Sequence, residues 1–204
     1  MQARLTDTIE KRQNVVWDQR ESRLDGEERN LSMTYPTVDD LNVALAKHLA
    51  EVGCSETYQN ESAFEAGVWA RLVKFMSQVE QDTDTYCLTS HTQRKGRSDA
   101  AWKAFCREDC GPDVNVLGSN NRLDIVVKHP IQGSIGIEVK CLGNSGHAAK
   151  LTQGIGQAML ALAHRDRTIL MIHCGAVEAR EREHLRTIAE KIYPGSKTSI
   201  IVAP

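Results

Sequence analysis

Two short segments carry residues whose types and spacing could do chemistry: Arg122-Leu123-Asp124-Ile125-Val126-Val127 and Ile135-Gly136-Ile137-Glu138-Val139-Lys140. Both alternate apolar residues with others at a period of two, the signature of strands. A hairpin centred on Ile131, in the turn Pro130-Ile131-Gln132-Gly133, pairs residues whose numbers sum to 262. Leu123 then faces Val139, Ile125 faces Ile137, and Val127 faces Ile135. All six are large and apolar and share one face, so the register is self-consistent. The same register sets Asp124 opposite Glu138 on the other face, and Lys140 joins them two residues on.

Directly opposed side chains have Cβ atoms about 4.5–5.5 Å apart, and like charges so placed destabilise a sheet. A divalent cation with oxygen ligands satisfies two such carboxylates at once; Mg²⁺ typically takes one or two carboxylates together with substrate phosphate. An ammonium beside them can orient a water, lower its pKa or hold a phosphate oxygen. That is equipment for metal-assisted hydrolysis of a phosphodiester. The competing expectation is a solvent-facing strand whose Asp, Glu and Lys pair on its surface.

The surrounding elements must position this hairpin. Tyr35-Pro36 marks a break, and Thr37 with Asp40 reads as a helix N-cap box leading into Leu41, Leu45 and Leu49, with Gly53 as the stop. Phe64, Val68, Leu72, Phe75 and Val79 recur at spacings of three and four, which predicts a helix over 61–79 with one buried stripe. A loop and a helix over about 98–109 are expected next. Val114 to Leu117 reads as a strand, Gly118-Ser119-Asn120-Asn121 as a turn, and the hairpin follows. Then come a helix over about 148–164, a strand over 168–174, a helix over about 177–192 stopped by Pro194-Gly195, and a strand over 199–203. The fold class is α/β, a central mixed sheet covered by helices.

Asp124, thirteen intervening residues, then Glu138-Val139-Lys140, set inside helix, three strands, helix, strand, resembles the PD-(D/E)xK nuclease superfamily. The resemblance covers about residues 60–174. It implies a restriction-endonuclease-like fold with an α-β-β-β-α-β core, and Mg²⁺ (or Mn²⁺) as cofactor. Asp124 and Glu138 would be metal ligands with the Val139 carbonyl a further one, and Lys140 would assist the attacking water. The superfamily often has an acidic residue on the first core helix; Glu65 is the candidate here and Glu61 the runner-up. Many members carry a Gln on the helix after the E-x-K strand. Gln157 fits that habit, and Gln153 sits one turn earlier on the same face. The residue before Asp124 is Leu123 rather than Pro. Pro112-Asp113 spells the literal dipeptide, and Asp113 is the minor alternative to Asp124.

Backbone phosphates dominate nucleic-acid affinity, so binding needs local positive charge. Arg94, Lys95, Arg97, Lys103 and Arg107 supply it against Asp99 alone within 91–107, with Lys128, Lys150 and Gln153 as further contacts. Trp102 and Phe105 lie among them, as stacking groups or as helix core. Bulk charge does not do this work, because the net charge of the 204 residues is −2. Its distribution is uneven. Residues 1–62 hold 7 basic and 12 acidic residues, which leaves 18 basic against 15 acidic for 63–204. That contrast suggests an acidic, helical N-terminal arm (1–58) on a nuclease-like domain (59–204).

A zinc site at Cys87/His91 and Cys106/Cys110 is a competing possibility, although structural zinc more often uses C-x2-C. Six cysteines spread along a chain this size, no apolar N-terminal segment and no membrane-spanning run point to reduced thiols in a cytoplasmic protein. No G-x-S-x-G elbow or phosphate-binding G-x4-G-K-[ST] loop is present. The expected function is metal-dependent cleavage of nucleic acid, DNA before RNA, with a homodimer suited to cutting both strands. The alternative is a binding or interaction protein on the same fold with its chemistry lost.

Overall fold

The computed structural model describes residues 35–51, 58–79, 87–90, 114–116, 119–121, 123–129, 133–143, 146–175, 177–192 and 196–203. Helix α1 (Val38–Glu51) begins at a reciprocal cap. Asp40 N–H donates to Thr37 Oγ1 at 3.1 Å, and Thr37 N–H and Oγ1 donate to Asp40 Oδ2 at 3.2 and 2.6 Å. Those bonds satisfy donors that a helix start leaves without intrahelical partners. Helix α2 (Glu61–Val79) starts where Asn60 Oδ1 accepts the Ala63 N–H at 2.9 Å. Leu41, Leu45 and Leu49 of α1, and Phe64, Val68, Leu72 and Met76 of α2, fall every four residues and are all buried.

Among the described residues, seven strands form two sheets: β1 (Cys87–Ser90), β2 (Val114–Val116), β3 (Ser119–Asn121), β4 (Ile125–Lys128), β5 (Ser134–Cys141), β6 (Arg167–His173) and β7 (Thr198–Ala203). The main sheet runs β1-β4-β5-β6-β7, while β2 and β3 form a separate pair. Strands β1, β4 and β5 are antiparallel neighbours; β5, β6 and β7 run parallel. Parallel neighbours need long crossovers. Helices α3 (His147–Ala161) and α4 (Ala179–Ile192) provide them.

All eight residues of β5 are buried, because helices cover both faces of the sheet. Ile125, Val127, Ile135, Ile137, Val139, Ile169 and Met171 form one core with the leucines of α1 and the stripe of α2. Leu142, Ala158, Leu170, Ile172, Cys174 and Val177 form the second, with Leu185 of α4 beside it. Each buried aliphatic of this size stabilises by roughly 1.5–3 kcal/mol. The first core therefore anchors β5 firmly from below, which fixes where its opposite face sits. Among the described residues no helix is long and apolar enough to cross a membrane.

Two sequence expectations change. Ser119–Asn121 is a strand rather than a turn, paired to β2 through Val114↔Asn121, Asn115↔Asn120 and Val116↔Ser119. The polar run Ser119-Asn120-Asn121 has no apolar alternation that would mark it as a strand. It also stands outside the main sheet, whose first antiparallel strand is β1. Cys87-Leu88-Thr89-Ser90 lacks a two-residue apolar period and reads as a β-like stretch within a span assigned chiefly to a loop; it is strand β1, and its pairing with β4 carries an irregularity between Cys87 and Thr89. The compact unit that begins at Thr34 includes α1. Charge reads the surface, and the leucines of α1 are core. Residues 1–34 and 52–57 of the arm expected over 1–58, and the helix expected over 98–109, lie outside the described residues.

Candidate functional site

The hairpin register is the one that sums to 262: Ile125↔Ile137, Val126↔Gly136, Val127↔Ile135 and Lys128↔Ser134. At the turn end the ladder continues, with His129 N–H donating to Gly133 O at 3.0 Å. At the other end it stops. The chain bends at Asp124, and β5 runs on past its neighbour to Cys141. By period two, the N–H groups of Val139 and Cys141 point to the same edge as those of Ile135 and Ile137. Among the described residues no strand receives them there, and carboxylates do. Val139 N–H donates to Asp124 Oδ2 at 2.8 Å, and Cys141 N–H donates to Glu61 Oε2 at 3.2 Å.

The bend corrects one expectation. Leu123 does not face Val139; a methyl built on Gly136 would run into the Leu123 side chain, which places Leu123 over the opposite face. The other five apolar residues of the register are in the first core, as alternation requires. Asp124 accordingly meets β5 through its side chain, at Val139, rather than as a ladder partner of Glu138.

Glu138 and Lys140 share the α3 side of β5, and both are buried. Lys140 Nζ lies 2.6 Å from Glu138 Oε1 and 3.6 Å from Glu61 Oε1. The second Glu138 oxygen, Oε2, is buried with no hydrogen-bond partner. A buried acceptor without a donor or cation costs on the order of 1–3 kcal/mol, and more when charged. Burial pushes Glu138 up to about 8, aided by the Asp124 charge, while Lys140 draws it back down. Burial likewise raises Asp124 to about 6; the Val139 N–H and Lys140 oppose that shift, and Glu65 and Glu61 add to it. Burial alone would lower Lys140, but Glu138 more than offsets it, and the ammonium is held above its usual range. Glu138, Glu61 and Asp124 thus act on the Lys140 ammonium, with Glu65 acting on Asp124, and the excess of negative charge is what a cation would offset.

Helix α3 closes the site from above. A methyl on Gly154 would lie 2.7 Å from Lys140 Cγ, so helix and lysine stem are in close apposition. One turn along, Gln157 is half-buried and its Oε1 is a second buried acceptor without a partner. At the start of the helix, Lys150 Nζ donates to the Cys141 carbonyl at 3.0 Å, on the open edge of β5.

Asp124, Glu138, Lys140, Glu61, Lys150 and Gly154 therefore converge through direct contacts, and Glu65 joins through its charge on Asp124. Both acidic candidates of α2 are at the site in different ways. Glu65 is buried within it, while Glu61, the runner-up, makes the direct contacts to β5 and Lys140. The first turn of a helix can aim a side chain past the sheet edge, and that position is the signal favouring Glu61. Gln153 is exposed on α3. Lys128 stands at the turn end of β4, four residues or about 13 Å along the strand from Asp124. Cys141 is buried, as alternation predicts. Arg94, Lys95, Arg97, Lys103, Arg107, Asp113, His91, Cys106 and Cys110 lie outside the described residues.

Among the described residues no three His, Cys, Asp or Glu side chains converge as a complete metal cage. The donors at the open edge are instead two acidic residues and backbone carbonyls. An antiparallel ladder residue turns its N–H and C=O to the same neighbour, so the Val139 carbonyl is directed towards Asp124. This hard-oxygen set suits Mg²⁺ or Mn²⁺ better than zinc. A separate cleft of about 630 Å³ lies between α3 and α4, lined by Leu142, His147, Leu151, Val177, Arg180 and His184 among others. No family model, curated protein or solved structure matches the chain.

Proposed function

We propose that the protein is a metal-dependent nuclease of the PD-(D/E)xK kind, hydrolysing phosphodiester bonds in nucleic acid, DNA before RNA. The observation that carries this reading is the open edge of β5. Asp124, Glu138, Glu61 and Lys140 meet there, and a buried Glu138 oxygen has no partner. The element order supports it too: helix α2, the antiparallel strands β1, β4 and β5, helix α3, then parallel β6. That order agrees with the α-β-β-β-α-β core expected of a restriction-endonuclease-like fold, with the small β2–β3 pair as an insertion. Mg²⁺ or Mn²⁺ would be held by Asp124, Glu138 and the Val139 carbonyl. When bound, it supplies charge neutralisation at the phosphate and a more acidic water. Lys140 orients the nucleophile or the phosphate with its ammonium, Glu61 and Glu65 hold that ammonium and the β5 edge in place, and Gln157 offers its amide to water or phosphate. Lys150, Gln153 and the basic run at 94–107 carry backbone contacts. A homodimer would serve duplex cleavage, and buried reduced Cys141 and Cys174 suit a cytoplasmic setting.

The second reading is a nucleic-acid-binding protein on the same fold without catalysis. It is favoured by the Lys140–Glu138 pair, which already neutralises one ligand, and by the lack of a three-residue cage among the described residues. A panel of duplex, single-stranded and branched DNA and of RNA, incubated with Mg²⁺ or Mn²⁺, separates the two. Strand breaks suppressed by EDTA and absent in Lys140→Ala support the nuclease. Retention of labelled nucleic acid without breaks supports the binding protein.

A further inference from the structure

Helix α3 lies on the sheet through Gly154, Ala158 and Ala161, which are buried. At Gly154 the approach is closest. A methyl there would sit 2.7 Å from Lys140 Cγ, 3.6 Å from Lys140 Cδ and 3.0 Å from Leu170 Cδ1. Real Cβ atoms do not come that near, so only glycine lets the helix press on the lysine stem at this depth. Gly156, two residues on in the same helix, differs completely: a methyl there would meet nothing within 4 Å. Glycine inside a helix is unfavourable relative to alanine. Gly156 has no packing reason to be glycine, and Gly154 has one that involves a candidate catalytic group. The Lys140 ammonium at the far end of the same stem lies 2.6 Å from Glu138.

We infer that Gly154 is a positioning residue: its missing side chain lets α3 clamp the Lys140 methylenes and fix the ammonium at Glu138. This rests on the nuclease reading only for its catalytic consequence; the clamp itself is a packing relation between two residues. A side chain at 154 drives the stem aside and carries the ammonium off Glu138. A misplacement of about 1 Å in such a group costs on the order of 100-fold in rate.

The test compares Gly154→Ala, Lys140→Ala, the double variant and Gly156→Ala in the full-length protein. Cleavage kinetics and thermal unfolding midpoints are read for each. Gly154→Ala is expected to lower kcat about 100-fold with KM unchanged, and to lower the midpoint. Adding it to Lys140→Ala is expected to cost no further activity and to lower the midpoint far less, because the stem it collides with is gone. Gly156→Ala is expected to keep full activity and to raise the midpoint slightly. Additive midpoint losses at 154 and 140, or full activity in Gly154→Ala, would overturn the clamp. If the wild-type protein cleaves nothing, the nuclease reading fails while the midpoint cycle still decides the clamp.

Discussion

The two ends of one hairpin make different things from the same pair of strands. At the turn end, β4 and β5 are paired backbone to backbone, and Ile125, Val127, Ile135 and Ile137 bury one face in the core. At the open end β5 continues past β4, still paired to β6 on its other side, and its N–H groups at Val139 and Cys141 are received by Asp124 and Glu61. The paired end stores stability; the open end gathers charge where stability alone would not put it. A site arises where a ladder stops but the strand does not, because the unfilled donors and acceptors of the edge attract polar side chains from elsewhere.

Breaking each end separately sharpens this contrast. The largest effect is expected at the open end on activity. Lys140→Ala or Asp124→Asn should lower cleavage by roughly 100- to 10,000-fold, the range in which a positioned proton-handling group acts, with little change in circular dichroism. At the paired end, Ile137→Ala should cost about 2–5 kcal/mol by chemical denaturation and reduce activity only in proportion to the unfolded fraction.

A subtler contrast is pH. Asp124 and Glu138 are pushed up to about 6 and about 8 in the folded protein, from 3.8 and 4.5. The folded state thus binds more protons than the unfolded chain between those values, so stability falls as pH rises through that window and levels off above about 8. The unfolding midpoint in EDTA should therefore drop between pH 5 and pH 8 more for the wild type than for Asp124→Asn/Glu138→Gln. Mn²⁺ should restore the wild type at pH 8 and do little at pH 5. Equal pH slopes for the two proteins would remove the electrostatic account of the open end. The smallest effect lies far from both ends: Thr37→Ala removes the α1 cap and should cost about 0.5–2 kcal/mol without changing metal response.

Much of this was legible in the residues because apolar alternation fixes register. Ile125 to Val127 and Ile135 to Val139 allow only one pairing that buries both sets, and that pairing is present. Asp124, Glu138 and Lys140 were found from the same argument. Its failure is equally local: alternation assumes the strand continues, and β4 bends at Asp124, so Leu123 changes face. Glu65 and Glu61 could not be ranked by helical spacing, because which of them reaches β5 depends on where the first turn of α2 meets the sheet edge. Gly154 gave only the weak signal of a glycine within a helical pattern; the reason for it is a contact with a strand that sequence spacing does not bring near. Strand β1 has no apolar alternation to read, and β3 is a polar run whose residue types favour a turn.

The most direct measurement of the central claim is a calorimetric titration of Mn²⁺ into the metal-free wild-type protein and into Asp124→Asn/Glu138→Gln at pH 8. Single-site binding by the wild type, lost in the double variant while its fold is retained, is the predicted result. Binding of equal strength in both proteins, or none in the wild type, would contradict it.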